Sequence, residues 1–185
     1  MTIALRSPRL VLREWRDEDY EPFAALSADP HVMRFYSRPL ADRAASDAWI
    51  HRMRQHNDEH GFAYWAVELP EAAGLIGAVG MSRVSSPGLP FAPAVEIGWR
   101  LAPAYWRRGY AVEAARAVLD DAFGRLGLEE IVAFTVPANE GSRRVMERLG
   151  MTRNNSDDFD RPSLPEGHAL RRHVLYRIRR GRPHP

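Results

Sequence analysis

Hydrophobic and polar positions alternate from Val95 to Leu101. Val95, Ile97, Trp99 and Leu101 stand between Glu96, Gly98 and Arg100, a period of two that predicts a strand with two unlike faces. From Ala111 the spacing becomes helical, with Ala111, Ala115, Val118, Leu119, Ala122 and Leu126 on one side, which predicts a helix of about four turns. The turn between them reads PAYWRRGYA and sets two arginines and one glycine where the helix begins. A helix start presents unpaired backbone N–H groups and the positive end of a dipole, so this turn is a seat for phosphate.

The same reading places the other elements. Arg9 to Arg13 alternates as a short first strand. A first helix starts by Asp17 and Asp19, runs through Tyr20, Phe23, Ala24 and Leu26 or Ser27, and stops at Asp29 and Pro30. HVMRFYSRPL has no clean period and is expected to be a loop with room for one turn of helix. Ala44 to His60 carries Trp49, Ile50, Met53 and His56 on one stripe, a second helix ended by Gly61. Phe62 to Leu69 and Leu75 to Arg83 form a predicted hairpin around PEAAG, and Pro87, Gly88, Pro90 and Pro93 stiffen the loop that follows. Beyond the long helix, which Gly124 and Gly127 end, Ile131 to Val136 is nearly all apolar, as in a strand covered on both faces. A further helix covers Asn139 to Leu149 with Gly150 as its cap. Thr152 to Gly167 is expected to be a long polar loop before a last strand, Leu170 to Ile178. These elements predict an α/β fold in one domain, residues 1–178, with 179–185 as a flexible basic tail.

Composition removes several chemistries. All 26 basic residues are arginine, so the chain has neither the lysine of a P-loop nor a Schiff-base lysine. The single Gly109 falls short of the three glycines of a dinucleotide fingerprint. With no cysteine there is no thiolate nucleophile, disulfide or cysteine-based zinc site. His51, His56 and His60 do not form a metal-ligand pattern, and no metal is expected. A formal charge of +2 gives no reason to expect nucleic acid, and the arginines crowding the end are expected to be a solvated tail. No signal peptide or membrane-length apolar run is visible, so no membrane partner is expected and a bacterial-type cytosol is the expected location.

Taken in order, EIGW, YWRRGYAVEA and NEGSRRVMERLGM resemble the core of the GCN5-related N-acetyltransferases, specifically the branch with the ribosomal-protein N-terminal acetyltransferases. The opening RLVLREW and the closing HALRRHVLYRI resemble that branch too, so the likeness spans residues 8 to 178. It implies a mixed, mostly antiparallel sheet with helices on both faces and two central strands that splay apart. It also implies acetyl coenzyme A as donor, an amine acceptor and a monomer or homodimer. Where the superfamily's turn begins with Gln or Arg, this chain has Trp106, which supplies no charge.

The resemblance assigns roles residue by residue. Backbone groups of Arg107, Arg108, Gly109, Tyr110 and Ala111 would hold the pyrophosphate. The strand edge at Trp99, Arg100 and Leu101 would hold the pantetheine arm with Asn139, whose alternative is a helix cap. Many relatives have a proton-donating tyrosine where this chain has Met146, so the usual acid is missing and Met146 would only border the cofactor. Ser142 would lie near the thioester sulfur. Glu96 would be a base acting through water, its alternative being an ion pair with an arginine such as Arg100. Phe35, Tyr36, Trp65, Phe159 and His168 are the candidates for the acceptor wall.

At neutral pH an α-amine costs about 1 kcal/mol to deprotonate and a lysine-like amine about 4.6 kcal/mol. One weak base suits the former, so a peptide or protein N-terminus is the expected acceptor. A small amine such as an amino acid, polyamine or aminoglycoside, or a non-catalytic acetyl-coenzyme-A-binding module, are the alternatives.

Overall fold

Residues 4–37, 39–40, 42–70, 74–86 and 88–181 are described by a computed structural model. The alternating segment forms β5 (Ala94–Leu101), and its two faces meet two different layers. Ile97 and Leu101 pack with α4 (Tyr110–Gly124), whose Ala114, Ala115, Val118, Leu119 and Ala122 are buried. The opposite face lies under α1 (Tyr20–Ala28) and α3 (Arg43–His60), with Phe23, Trp49 and Ile50 in that second cluster. A sheet with one helix layer on each side thus follows from the strand's period.

β5 sits in the middle of the sheet. Before it come β1 (Leu5–Arg6), β2 (Val11–Arg13), β3 (Tyr64–Leu69) and β4 (Gly74–Val84), paired antiparallel in chain order. On its other side lie β6 (Glu130–Thr135), then β9 (Arg172–Arg179) and β7 (Thr152–Arg153), while β8 (Phe159–Asp160) also pairs with β9. β4 and β5 are paired from Gly77↔Leu101 to Val84↔Ala94, whereas β5 and β6 are parallel and meet at the single register pair Glu96↔Val132. Past that pair the two strands part, leaving the C-terminal half of β5 with an open edge toward β6. The splayed mixed sheet is as the resemblance implied.

The helices begin and end where capping chemistry dictates. Asp42 accepts from Ala45 N at 2.8 Å to start α3, and Gly61, at φ 74°, ends it. His56 near its end is neither solvated nor a ligand. Its Nε2 accepts from Arg83 N at 3.1 Å, so its Nδ1 carries the proton and bonds Phe62 O at 2.7 Å. Burial lowers its pKa, with the Phe62 carbonyl opposing. His173, buried beside Phe159, is lowered by the same cause. A histidine depressed in the fold binds its proton more readily when unfolded, so stability is expected to fall as pH drops below the ordinary value of 6.5. Thermal midpoints measured from pH 7.5 to 5 should decline, and less steeply in His56→Gln; a flat profile would show that neither imidazole matters.

Arg13 is 6% exposed and clasps Asp19 through two bonds of 2.7 and 2.9 Å while its Nε meets Glu68 at 2.5 Å. Removing the Asp19 carboxylate would strand this cation and is expected to cost about 3 to 5 kcal/mol.

Several expectations need correction. The segment 30–33 is the turn of helix that the loop had room for, α2 (Pro30–Met33), whereas the long polar loop contains β7 and β8, which are too short to show a period. The basic tail does not begin at 179. Arg179 lies in β9 and pairs with Glu130 at 2.8 Å, and Arg180 pairs with Glu129, so the strand's charges are matched by neighbouring carboxylates. Residues 182–185 lie outside the described residues, as do Pro87 and the centre of the PEAAG turn. Among the described residues no helix is long and apolar enough to cross a membrane, and no cluster of three metal-ligating side chains occurs.

Candidate active site

The expected phosphate turn is built on two left-handed residues. Arg107 has φ 59° and Gly109 φ 83°, and Gly109 is the N-cap of α4. With no side chain, Gly109 cannot cap the helix, so the first-turn N–H groups keep no intrahelical acceptor. The turn is braced from both ends. Trp106 replaces the expected charge with a tether, its Nε1 donating to Leu101 O at 2.7 Å. Arg9 donates from Nη2 to Arg108 O at 3.2 Å and lies 4.4 Å over the Tyr110 ring. Its Nε and backbone N bond Glu113 at 2.7 and 2.9 Å, and Ser7 Oγ adds a third bond to that carboxylate at 2.7 Å. These bonds outweigh burial and hold the Glu113 pKa below its ordinary value. The presence of this uncapped, braced helix start beside the open edge of β5 fits a pyrophosphate-bearing ligand with an extended amide arm.

At the other side of the splay, Asn139 caps α5 (Glu140–Arg148). Its Oδ1 accepts from Ser142 N at 3.3 Å and its Nδ2 donates to Thr135 Oγ1 at 3.0 Å, tying the end of β6 to the helix. Ser142 stands part-exposed in the first turn. Met146 is buried in the main core, so its side chain packs between helix and sheet and does not border an open cleft.

Glu96 lies on the α1/α3 face of β5 and takes a 2.8 Å bond from its cross-strand neighbour Ser82. Burial raises its pKa above the ordinary carboxylate value, against opposing effects of the Ser82 hydroxyl and the Arg161 charge. The ion pair with Arg100 does not form. Arg100 has the same parity as Glu96 and therefore the same face, but its guanidinium turns toward α1 and α3, 4.5 Å from the Tyr36 ring. Its side chain is thus directed away from α4 and the phosphate turn, and only its backbone stays available to a cofactor arm.

Tyr64 is a residue that the sequence did not single out. Tyr64, Gly80 and Gly98 are aligned across β3, β4 and β5, so two glycines clear a path for the phenol over the sheet. A Cβ on Gly98 would stand 2.2 Å from the Tyr64 hydroxyl, which therefore rests directly on β5 two residues from Glu96. Burial pushes the hydroxyl well above its ordinary pKa, with Glu96 and Tyr36 adding to the rise and Arg100 opposing it, so the group keeps its proton. The signal available in the sequence was the pair of glycines, which is informative only once the register is known.

The expected acceptor wall is revised. Trp65 is 1% exposed and faces α4 in the main core. Phe159 is buried against Phe91, Phe134 and His173. His168 is exposed and its Nδ1 accepts from Leu170 N at 3.0 Å, a turn contact. Phe35 is part-exposed under Arg34, 5.1 Å away. Tyr36 alone of the five is joined with Arg100 and Tyr64. Across the cleft, Arg161 reaches Ser37 Oγ at 3.3 Å and spans the two loops that flank it. A groove of about 1010 Å³ follows the outer side of α4 past Arg9, Gly109 and Arg116, but contains none of Glu96, Tyr64 and Arg100. Glu96, Tyr64 and Arg100 lie on the other face of the sheet.

Residues 9–152 match the family model described as "Acetyltransferase (GNAT) domain". The chain is 32% identical to the uncharacterized protein YkkB of Bacillus subtilis, over 80% of this chain and 84% of that one. It is 30% identical to the FsC-acetyl coenzyme A-N(2)-transacetylase of Aspergillus fumigatus, over 88% of this chain and 72% of that one. Among solved structures, a GNAT-family acetyltransferase from Bacillus anthracis superposes with a TM-score of 0.79 at 25% identity, covering 96% of this chain and 98% of that one. A ribosomal-protein-S5-alanine acetyltransferase from Vibrio fischeri shares the fold, with a TM-score of 0.75 at 20% identity and coverage of 98% and 100%. With a splayed mixed sheet and a family match over most of its length, the chain is a member of the GNAT family of acetyltransferases.

Proposed function

We propose that the chain transfers acetyl from acetyl coenzyme A directly to a primary amine, and that this amine is an α-amine such as a peptide or protein N-terminus. The observation that carries the reading is the position of Glu96 and the Tyr64 hydroxyl on β5 beside its splay from β6, across the sheet from the Gly109 turn. The coenzyme supplies an activated acetyl thioester. N–H groups from Arg108 to Ala111 bind its pyrophosphate, and Arg107 and Arg108 add charge. The free edge at Trp99 and Leu101 takes the pantetheine amides, and Asn139 and Ser142 sit where that arm ends.

Glu96, with its raised pKa, removes the amine proton through water. The amine nitrogen forms its bond to the acetyl carbon as the carbon–sulfur bond breaks, and the departing thiolate takes up a proton. With Met146 in place of an acid, Tyr64 is the protonated donor on this face and hydrogen-bonds the charge that develops on the acyl oxygen. Tyr64→Phe is expected to lower turnover by about 10²-fold. Gly98→Ala should do the same by displacing the hydroxyl, and full activity in both variants would remove Tyr64 from the reaction.

Glu96 is a single weak base, and this favours amines near pKa 7.7 to 8.0 over amines near about 10.4. A small-molecule acceptor is the second reading, favoured by the similarity to a relative whose name describes an N(2)-transacetylase. A panel of N-terminal peptides, free amino acids, polyamines and aminoglycosides separates the two. Acetylation of peptides is expected; acetylation of free amino acids alone would favour the small-molecule reading, and acetylation of polyamines or aminoglycosides alone would contradict the α-amine assignment. Kinetics should be sequential, since no cysteine is present to hold an acetyl group.

A further inference from the structure

Two arginines are buried among the described residues, and only one has a counter-charge. Arg13 is held by Asp19 and Glu68. Arg100, 9% exposed, makes no ion pair with any described Asp or Glu. Its polar contact is Nη1 to Ser27 Oγ at 3.5 Å, the outer limit of a hydrogen bond, and its Nε is enclosed without an acceptor. The rings of Phe23, Tyr36 and Trp49 lie 5.6, 4.5 and 5.3 Å from Cζ. Aromatic faces attract a cation, but they do not supply the acceptors that a guanidinium's N–H groups need. A buried charge left in this condition is costly, and such groups are ordinarily paired.

The surroundings say which side of the reaction supplies the partner. Arg100 shares its face with Glu96 and Tyr64, opposite the phosphate turn, so the donor's phosphates do not reach it. Ala78 and Ala66 stand in register with it across β4 and β3, both buried in the cluster that Phe23 and Ile50 share, so no charged side chain flanks it from the two neighbouring strands at this level. Arg161, which reaches Ser37 Oγ across the cleft, partly opposes the rise that burial gives the Glu96 pKa. A planar fork between aromatic rings matches a planar carboxylate better than a tetrahedral anion.

Resting on the acetyltransferase reading, we infer that the acceptor carries a carboxylate a few bonds from its amine, seated on Arg100 while the amine faces Glu96 and Tyr64. The carboxylate has two sources: the α-carboxylate of a free amino acid, or the acidic side chain of a peptide's first residue.

Matched pairs distinguish them. One pair is L-alanine and L-alaninamide; the other is a C-terminally amidated peptide beginning with Glu and its counterpart beginning with Gln. With each rate expressed per unprotonated amine, because a free carboxylate raises the pKa of the amine beside it, wild type is expected to favour the carboxylate member of one pair by about 10- to 100-fold in kcat/KM, mainly through KM. Arg100→Met should abolish that preference, and Arg100→Lys should retain part of it. Because Met replaces an unpaired buried charge by an apolar chain of similar length, its thermal midpoint should equal or exceed wild type's, which separates the effect from misfolding. Equal rates within both pairs, or a preference that survives Arg100→Met, would overturn the inference. Should no amine be acetylated, calorimetry of the same compounds with coenzyme-A-saturated protein still decides it. Tighter binding of a carboxylate member by wild type but not by Arg100→Met keeps the seat and removes the transfer reading; equal binding removes the seat.

Discussion

Gly109→Glu is expected to reduce acetyl coenzyme A affinity by about 10²-fold or more, from two effects of a few kcal/mol together. Gly109 holds φ 83° as the N-cap of α4, where a side chain is strained, and a Cβ there would lie 3.5 Å from Arg9 Nη2. The turn must rearrange to relieve that strain, which scatters the N–H groups aimed at the pyrophosphate. A carboxylate that remains there would face the phosphates instead. Glu113→Gln, which removes only the charge that Arg9 and Ser7 clasp, should weaken binding far less. Calorimetry showing wild-type affinity for Gly109→Glu would remove the turn from the donor site.

Glu96→Gln is expected to lower turnover by about 10²-fold while donor affinity stays at the wild-type level. Amines of lower pKa should recover part of the loss. Since burial raises the Glu96 pKa, the wild-type rate should fall toward acid with a break above the ordinary carboxylate value of 4.5, and the variant should lack that limb. The stability consequence has the opposite sense. A carboxyl raised in the fold binds its proton better there than in the unfolded chain, so its contribution is greatest below the unfolded pKa and is lost as pH rises through the folded one. Glu96→Gln should therefore be at least as stable as wild type at pH 7. Unchanged turnover from pH 6 to 9 would make the glutamate structural.

What the sequence made legible was whatever depends on local period or local capping. β5, the turn and α4 were readable because a change from period two to helical spacing occurs around one glycine. Asn139 as a cap was readable from its place before an amphipathic run. Residues whose roles depend on register were not. Trp65 and Tyr64 are adjacent, and in a strand one step exchanges the core face for the cleft face. Choosing Tyr64 required knowing that Gly80 and Gly98 align with it. Arg100 was a different case: its shared parity with Glu96 already placed both on one face, whereas its lack of a carboxylate depends on which helices cover it. Phe159 and the arginines of β9 were misread because β8 and the end of β9 are held by long-range partners rather than by a visible pattern.

The most direct test is amine-dependent thiol release from protein preloaded with one equivalent of acetyl coenzyme A, with the acceptor analysed by mass spectrometry. Addition of a peptide with a free α-amine should release free coenzyme A in step with acetylation of that amine, and Gly109→Glu and Glu96→Gln should each suppress both signals. Bound acetyl coenzyme A that stays intact with every peptide and amino acid tried, or coenzyme A released with no acetyl on any amine, would contradict the account.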